Sequence, residues 1–402
     1  MDMTFAITFC FSLVGLAYTF VGYALVVVLC ARWRKVSVVS EQTTLPQLSV
    51  ILVASNEEDR IVERLKNLLA TDYPVEKLEI VMVSDGSDDA TVERAEHVRD
   101  SQVSKAAVHV VALPKRGGKP SGVNTGVGRA SGEIVVFADV RQRFESDTIP
   151  RLVARFANPH VGAVSGALEV DGGMDGVGAG VDSYWRLEKA LRHAESQFDS
   201  CIGCTGAVYA IRRKLFEPLP EDTILDDVVI PMRIAVMGYR VVFEDSATAF
   251  DPQPFTTGNE TRRKRRTLAG NFQMLFRYPE WLLPWRNRLW WQLISHKHLR
   301  LLGPVFMLIA LGTSFALRAE LIYGAAFYAQ VALYALALLG ILLPAVRWRL
   351  VAFPAAFLFL NVQIVLGLWD YLRGAHRGGW RQTRQTEQAS EPVDSIDSFD
   401  RP

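Results

Sequence analysis

Cysteine is scarce. Four residues, Cys10, Cys30, Cys201 and Cys204, are spread through 402, which excludes the disulfide framework of a small secreted domain. "CIGC" (201–204) is a lone CxxC with no second pair, so packing against a strand is a better reading than a zinc site. An excess of one charge is also missing. Lys and Arg number 44 against 43 Asp and Glu, a net charge of +1, so no nucleic-acid partner is expected. There is no repeat at a fixed period, which excludes a solenoid. The length suits two or three structural units with one large core.

Apolar residues are plentiful but unevenly placed. Phe5 to Leu29 is a nearly uncharged run of the length a bilayer requires. It precedes "RWRK" (Arg32 to Lys35), the reverse of a cleaved signal peptide, and predicts a retained membrane anchor over residues 1–31. The positive cluster predicts that residues 32 onward face the cytoplasm. Apolar stretches at 299–317, 320–346 and 350–372 predict a C-terminal membrane region (299–372) of two or three spans. "YPEWLLPWRNRLWWQLISHKHLR" (278–300) mixes Trp, Leu, Arg and His, and predicts an interfacial amphipathic region over 278–298. One anchor plus three spans would leave the basic "LRGAHRGGWRQTR" (372–384) outside, against the charge rule. One C-terminal segment is therefore expected to be re-entrant or interfacial. Residues 373–402 read as a basic, then acidic, disordered tail.

The middle of the chain, 46–275, is of another kind. "LSVILVAS" (48–55), "LEIVMVSD" (78–85), "VHVVAL" (108–113) and "EIVVFAD" (133–139) alternate with helical patterns. Continuous apolar strands separated by helices predict an α/β, Rossmann-like, mostly parallel sheet covered on both faces. Ligands bind outside the carboxyl ends of such strands. Three of those ends deliver acids: Glu57 and Glu58, after Asn56, at the first, Asp85 after the second, Asp139 after the fourth. Each alone also suits a helix cap; three on one rim favour a nucleotide site. "PKRGGKPSGVNTGVGRASGE" (114–133) places Lys115, Arg116 and Lys119 among glycines, ahead of a helix expected near Ser121, an arrangement suited to a diphosphate.

"VASNEE", "LEIVMVSDGSDDAT", "RGGKPSGVNTG", "GEIVVFADV", "VGAVSGAL", "TGAVYAIRRKLF" and "ILDDVVIPMRIAVMGYRVVFE" occur in that order. Together they resemble the family 2 glycosyltransferases, inverting enzymes with a GT-A domain. The flanking apolar segments look like that family's cellulose, chitin and hyaluronan synthase branch. The resemblance implies that Asn56, Glu57 and Asp85 hold the nucleotide's base and ribose, with Lys119 near the base or phosphates. Asp139 matches the first acid of the DxD motif, which makes it the expected ligand for Mg²⁺ or Mn²⁺. Asp227, eleven residues before Gly238 in "GYR", matches the catalytic base, with Asp226 in the family's Glu position. Gly206 would line the acceptor side. The chemistry agrees: inverting transfer needs a carboxylate to take the acceptor's proton, and a second acid beside it raises its pKa toward neutrality.

Two positions depart from the pattern. Arg141 stands where the second DxD acid belongs. It cannot bind a metal, but it can neutralise a leaving diphosphate itself; the alternative is a side chain turned to solvent or paired with Glu145. The QxxRW motif of processive synthases keeps only Arg266, with Arg263 and Thr267 at the Gln and Trp positions. The run "TRRKRR" (261–266) suits either the diphosphate or anionic lipid. "DGGMDGVGAG" (171–180) reads as a loop near the acceptor, and "SHKH" (295–298) as interfacial hydrogen bonding rather than a metal pair. The expectation is an inner-membrane enzyme moving a sugar from a nucleotide donor, a UDP-sugar, to a lipid-linked or glycan acceptor. Its rivals are a processive synthase that extrudes its product, and a silent nucleotide-sugar-binding subunit working with polysaccharide-export partners.

Overall fold

The computed structural model describes residues 2–33, 45–102, 106–170, 178–252, 257–343 and 349–375. Arg34 and Lys35, most of the 171–180 stretch and the tail from 376 lie outside the described residues.

Eight strands form one sheet: β1 (Leu48–Ala54), β2 (Leu78–Ser84), β3 (Ala107–Ala112), β4 (Ile134–Ala138), β5 (Arg143–Phe144), β6 (Val161–Val170), β7 (Val208–Arg212) and β8 (Arg240–Asp251). Their order is β3-β2-β1-β4-β7-β6-β8-β5. The first four strands are parallel, β7 is antiparallel to both β4 and β6, and β6 runs parallel to β8. β1, β2 and β4 are buried along their whole length because helices cover both faces, so nearly every position is apolar; of the polar exceptions, Ser49 donates to Glu79 and Ser84 meets Ser87. One core layer gathers Ile51, Val83, Phe137 and Tyr209 with Ile230 and Ile234; the other gathers Leu52, Met82 and Val136 with Ile61 and Leu65.

The pairing register decides where the polar residues emerge. Ala54 lies opposite Ser84, and Leu52 opposite Ala138, so the residues after all three strands reach one rim. β5 pairs with the end of β8 through Arg143–Phe250 and Phe144–Ala249, drawing the 139–142 turn beside Asp251. The four sequence-predicted strands are present and parallel. The helix expected near Ser121 begins at Lys119.

Among the described residues three helices, Met3–Trp33, Leu321–Leu342 and Leu350–Leu372, are long and apolar enough to cross a membrane. Trp290–Leu301 and Gly303–Ala316 form a pair bent by 59°, a fourth candidate if taken as one span. Within 278–298, Trp281, Leu289 and Leu293 are buried in the core of the domain while Trp285 is exposed. The helix Thr257–Arg277 joins the α/β domain to the last apolar helix: Gly367 lies against Leu268, and Arg265 makes a bidentate pair with Asp370.

Candidate active site

Lys119 is the centre of the rim. Its Nζ lies 3.0 Å from Asp139 Oδ1 and 3.4 Å from Asp226 Oδ2, joining the end of β4 to the start of the helix Asp226–Val236. Burial disfavours the ammonium, but Asp139, Asp226 and Asp227 outweigh it and hold its pKa above the ordinary lysine value. Burial would likewise raise the Asp139 carboxyl, yet Lys119, Arg141 and Arg266 keep it below the usual carboxylate range. Arg64, absent from the sequence reading, fixes this strand end. Its Nε donates to the Asp139 carbonyl at 2.9 Å, and its guanidinium lies 4.1 Å over the Phe144 ring.

Asp227 has the opposite environment. Burial first, and Asp226 second, push its carboxyl up to about 6, against Lys119, Arg266 and Arg192, which pull it down. Two close approaches set its position. A Cβ on Gly206 would stand 2.9 Å from Asp227 Oδ2, so only glycine lets "CTGA" lie against the carboxylate. Cys204 N also donates to the Asp227 carbonyl at 2.7 Å. Gly270 presses the helix Thr257–Arg277 onto Leu225, where a Cβ would fall 2.4 Å from Leu225 Cγ. That contact brings Arg266 in beside the acids, with Nη2 3.4 Å from the Ile224 carbonyl.

Other predicted residues act through loops. Asp85 is buried and accepts from Gly117 N at 2.6 Å and Gly118 N at 2.9 Å, holding the glycine-rich loop that starts the Lys119 helix. Asn56, at φ 54°, donates its side-chain amide to Asp88 Oδ1 and accepts from the Asp88 backbone N–H at 3.1 Å. Glu57 donates its backbone N–H to Thr91 Oγ1 at 2.8 Å and opens the helix Glu58–Leu69.

Arg141 departs from the alternative drawn from sequence: it neither faces solvent alone nor pairs with Glu145. Its Nη2 lies 2.8 Å from Asp251 Oδ2, which also accepts from Gln142 Nε2 at 3.0 Å. The β5–β8 pairing across 110 residues made this contact, and nothing local announces it. "SHKH" departs too. His296 is buried rather than interfacial, with Nδ1 2.8 Å from Glu195 and Nε2 3.0 Å from Glu188. Cys201 and Cys204 are buried in the core, and Cys201 Sγ donates to the Arg192 carbonyl at 3.2 Å.

For a divalent cation, Asp139 is the available carboxylate. Among the described residues no group of three or more His, Cys, Asp or Glu side chains is placed to hold a metal. A donor set of one carboxylate fits Mg²⁺ or Mn²⁺ when a diphosphate brings further oxygens.

Residues 49–219 match the pattern of glycosyl transferase family 2, and residues 146–361 that of glycosyl transferase family group 2. An N-acetylglucosaminyltransferase of Rhizobium meliloti (strain 1021) is 27% identical over 253 residues, 59% of this chain and 58% of that protein. A poly-beta-1,6-N-acetyl-D-glucosamine synthase of Staphylococcus epidermidis is 24% identical over 249 residues, 61% of this chain and 59% of that protein. The chain thus spans less than two thirds of the length of these relatives. The mannosyltransferase PcManGT of Pyrobaculum calidifontis, solved with GDP-Man and Mn²⁺, shares the fold. Its TM-score is 0.69 at 24% identity, covering 91% of this chain and 99% of that one. Because the second family pattern takes in more than half of the residues, this chain belongs to the family 2 glycosyltransferases.

Proposed function

We propose that the chain is an inverting glycosyltransferase that moves a sugar from a UDP-sugar to a lipid-linked or glycan acceptor at the inner membrane, its α/β domain facing the cytoplasm. The observation that carries this reading is Asp227, a carboxylate raised to about 6 beside a second acid and facing a cluster of cations. The acceptor hydroxyl attacks the anomeric carbon as its proton passes to Asp227. The bond from that carbon to the diphosphate oxygen breaks, and the configuration inverts. The charge left on the diphosphate falls to Lys119 and Arg266, with Arg141 at the edge of the same field. Fixed cations in a partly desolvated site need no reorganisation as that charge develops. A divalent cation, when bound, would neutralise diphosphate charge from Asp139.

A UDP-sugar is favoured by the N-acetylglucosaminyltransferase and poly-N-acetylglucosamine synthase among the relatives. The second of these also favours chain extension, whereas Thr267 at the Trp position argues for shorter products. The test is nucleotide release and sugar transfer by detergent-purified protein given UDP-N-acetylglucosamine, UDP-glucose or GDP-mannose, with membrane extract as acceptor and with Mn²⁺ or EDTA. Turnover abolished by Asp227→Asn supports the reading. Donor binding without turnover, unchanged by that substitution, replaces it with the silent subunit. Activity surviving EDTA assigns the leaving-group charge to the lysine and arginines.

A further inference from the structure

The helix Gly178–Phe198 carries none of the residues assigned to the donor or to the base, yet Arg192 on it hydrogen-bonds the loop beside the catalytic acids. Its Nη1 donates to Thr205 Oγ1 at 2.9 Å, one residue from Gly206. Thr205 is itself fixed: Oγ1 donates to the Gly166 carbonyl at 2.7 Å, and its N–H donates to Ser165 Oγ at 2.9 Å. Beyond Thr205 the chain passes through Gly206 against the Asp227 carboxylate. Arg192 is also among the cations that pull on Asp227. One side chain therefore holds the acceptor-side loop and adds to the positive field at the base.

The support beneath Arg192 is buried and charged. One turn earlier, Glu188 Oε1 lies 3.8 Å from Arg192 Nε and 3.0 Å from His296 Nε2, while Glu188 Oε2 meets Arg300 at 3.2 Å. One turn beyond Arg192, Glu195 binds His296 Nδ1 at 2.8 Å and the Tyr23 hydroxyl of the N-terminal apolar helix at 2.5 Å. The helix is thus clamped on both sides of Arg192 by groups from the apolar segments, which restricts where Arg192 can point.

We propose that Arg192 is a positioning residue for the reaction: it holds the Thr205–Gly206 loop against Asp227 and keeps the base available as an anion. This rests on the transferase reading above. The groups that face Asp227 are Asp226, Lys119, Arg266, Arg192, Cys204 and Tyr209. Arg192 is the one among the four charged neighbours that also anchors the acceptor-side loop.

The full chain in detergent is assayed for nucleotide release from UDP-N-acetylglucosamine, UDP-glucose and GDP-mannose between pH 5 and 8, with transfer into membrane extract measured in parallel. Arg192→Met should lower turnover about tenfold, the loss expected for one charged hydrogen bond, at an unchanged donor KM. Its acidic limb should move to higher pH, and transfer should fall more than hydrolysis. Arg192→Lys should return the limb toward wild type by restoring charge. Thr205→Val should reproduce the transfer defect without moving the limb, and it serves as the test if Arg192→Met does not fold. An active wild type whose Arg192→Met and Thr205→Val variants keep its limb and its transfer-to-hydrolysis ratio overturns this inference alone. A wild type that releases nucleotide from none of the three donors overturns the transferase reading and this inference with it.

Discussion

At Asp227 the same interactions that favour catalysis work against stability. Its folded pKa of about 6 lies above the ordinary 3.8, so the folded state holds a proton that the unfolded chain releases between those values. Stability is therefore greatest below the unfolded pKa, declines as pH rises through about 6, and is flat beyond it. Asp227→Asn removes the charge, and it should melt a few degrees above wild type at pH 7.5 with little difference at pH 4. Turnover should meanwhile fall about a thousandfold, within the range for loss of a general base. In wild type, turnover should rise with pH through about 6 and then level, since the base works only as the anion. An Asn variant no more stable than wild type at pH 7.5 would show that the carboxylate is not strained by its surroundings. Gly206 tests geometry at the same atom. An added Cβ 2.9 Å from Asp227 Oδ2 must displace loop or carboxylate, so Gly206→Ala should cost about a hundredfold in turnover while UDP binding, followed by calorimetry, stays within about twofold. Equal losses in both would place Gly206 on the donor side instead.

Among the elements, the helix Thr257–Arg277 links chemistry to membrane. Arg266 turns to the acids, whereas its neighbour Arg265 pairs with Asp370 on the last apolar helix, a role that neither the diphosphate nor the anionic-lipid reading of "TRRKRR" includes. Asp370→Leu should lower the stability of the detergent-solubilised protein by about 2 kcal/mol. Arg265→Met combined with Asp370→Leu should recover much of that loss, because a partly buried ion pair is costly to break and less costly to replace. A thermal double-mutant cycle measures it, and strict additivity would mean the two do not interact. The same scale explains what the sequence made legible. β1, β2 and β4 are continuous apolar runs ending in acids, so strand, rim and Asp139 are readable from local pattern. β6 to β8 are held by antiparallel and long-range pairing, and β8 carries Glu244 and Asp245 mid-strand; context, not propensity, makes it a strand. Asp251 meets Arg141 only because β5 crosses to β8. Arg192 and Glu188, four apart on a helix, look like an ordinary surface pair, and nothing short-range reveals Thr205 or His296 beside them.

For the whole molecule, helix contacts address the span count left open by composition. Measured along the N-terminal apolar helix, the Phe9 ring meets Tyr323 at 5.4 Å, Gly15 abuts Phe306, and Phe20 meets Phe357 at 4.8 Å and the Gly303 position. The last helix then runs on from Phe357 to Gly367 and Asp370, which touch the α/β domain's Leu268 and Arg265, so it ends on the catalytic side. Its beginning, at Val351, lies about 9 Å before Phe357, away from the domain, and there Val351 and Ala355 meet Gly340. Leu321–Leu342 therefore starts level with Phe9, about 16 Å from Phe20 on that far side, and its Gly340, against Val351 and Ala355, is still about 3 to 9 Å out on the same side, a net advance of about 10 Å for a helix whose 22 residues extend about 33 Å. Long and apolar as it is, it should enter and leave at the same face. On that arrangement the N-terminal helix, the bent pair Trp290–Leu301 with Gly303–Ala316, and Leu350–Leu372 should be the segments that cross, and Gly374 should emerge on the catalytic side, in keeping with the basic sequence of 372–384. In a variant with the four native cysteines replaced, single cysteines at Leu321 and Leu342 should both react with a membrane-impermeant maleimide added from outside intact cells. A C-terminal green fluorescent protein should be fluorescent and a C-terminal alkaline phosphatase inactive. Labelling of Leu342→Cys only after the membrane is opened, together with an active phosphatase, would make Leu321–Leu342 a true span and put the C-terminus outside.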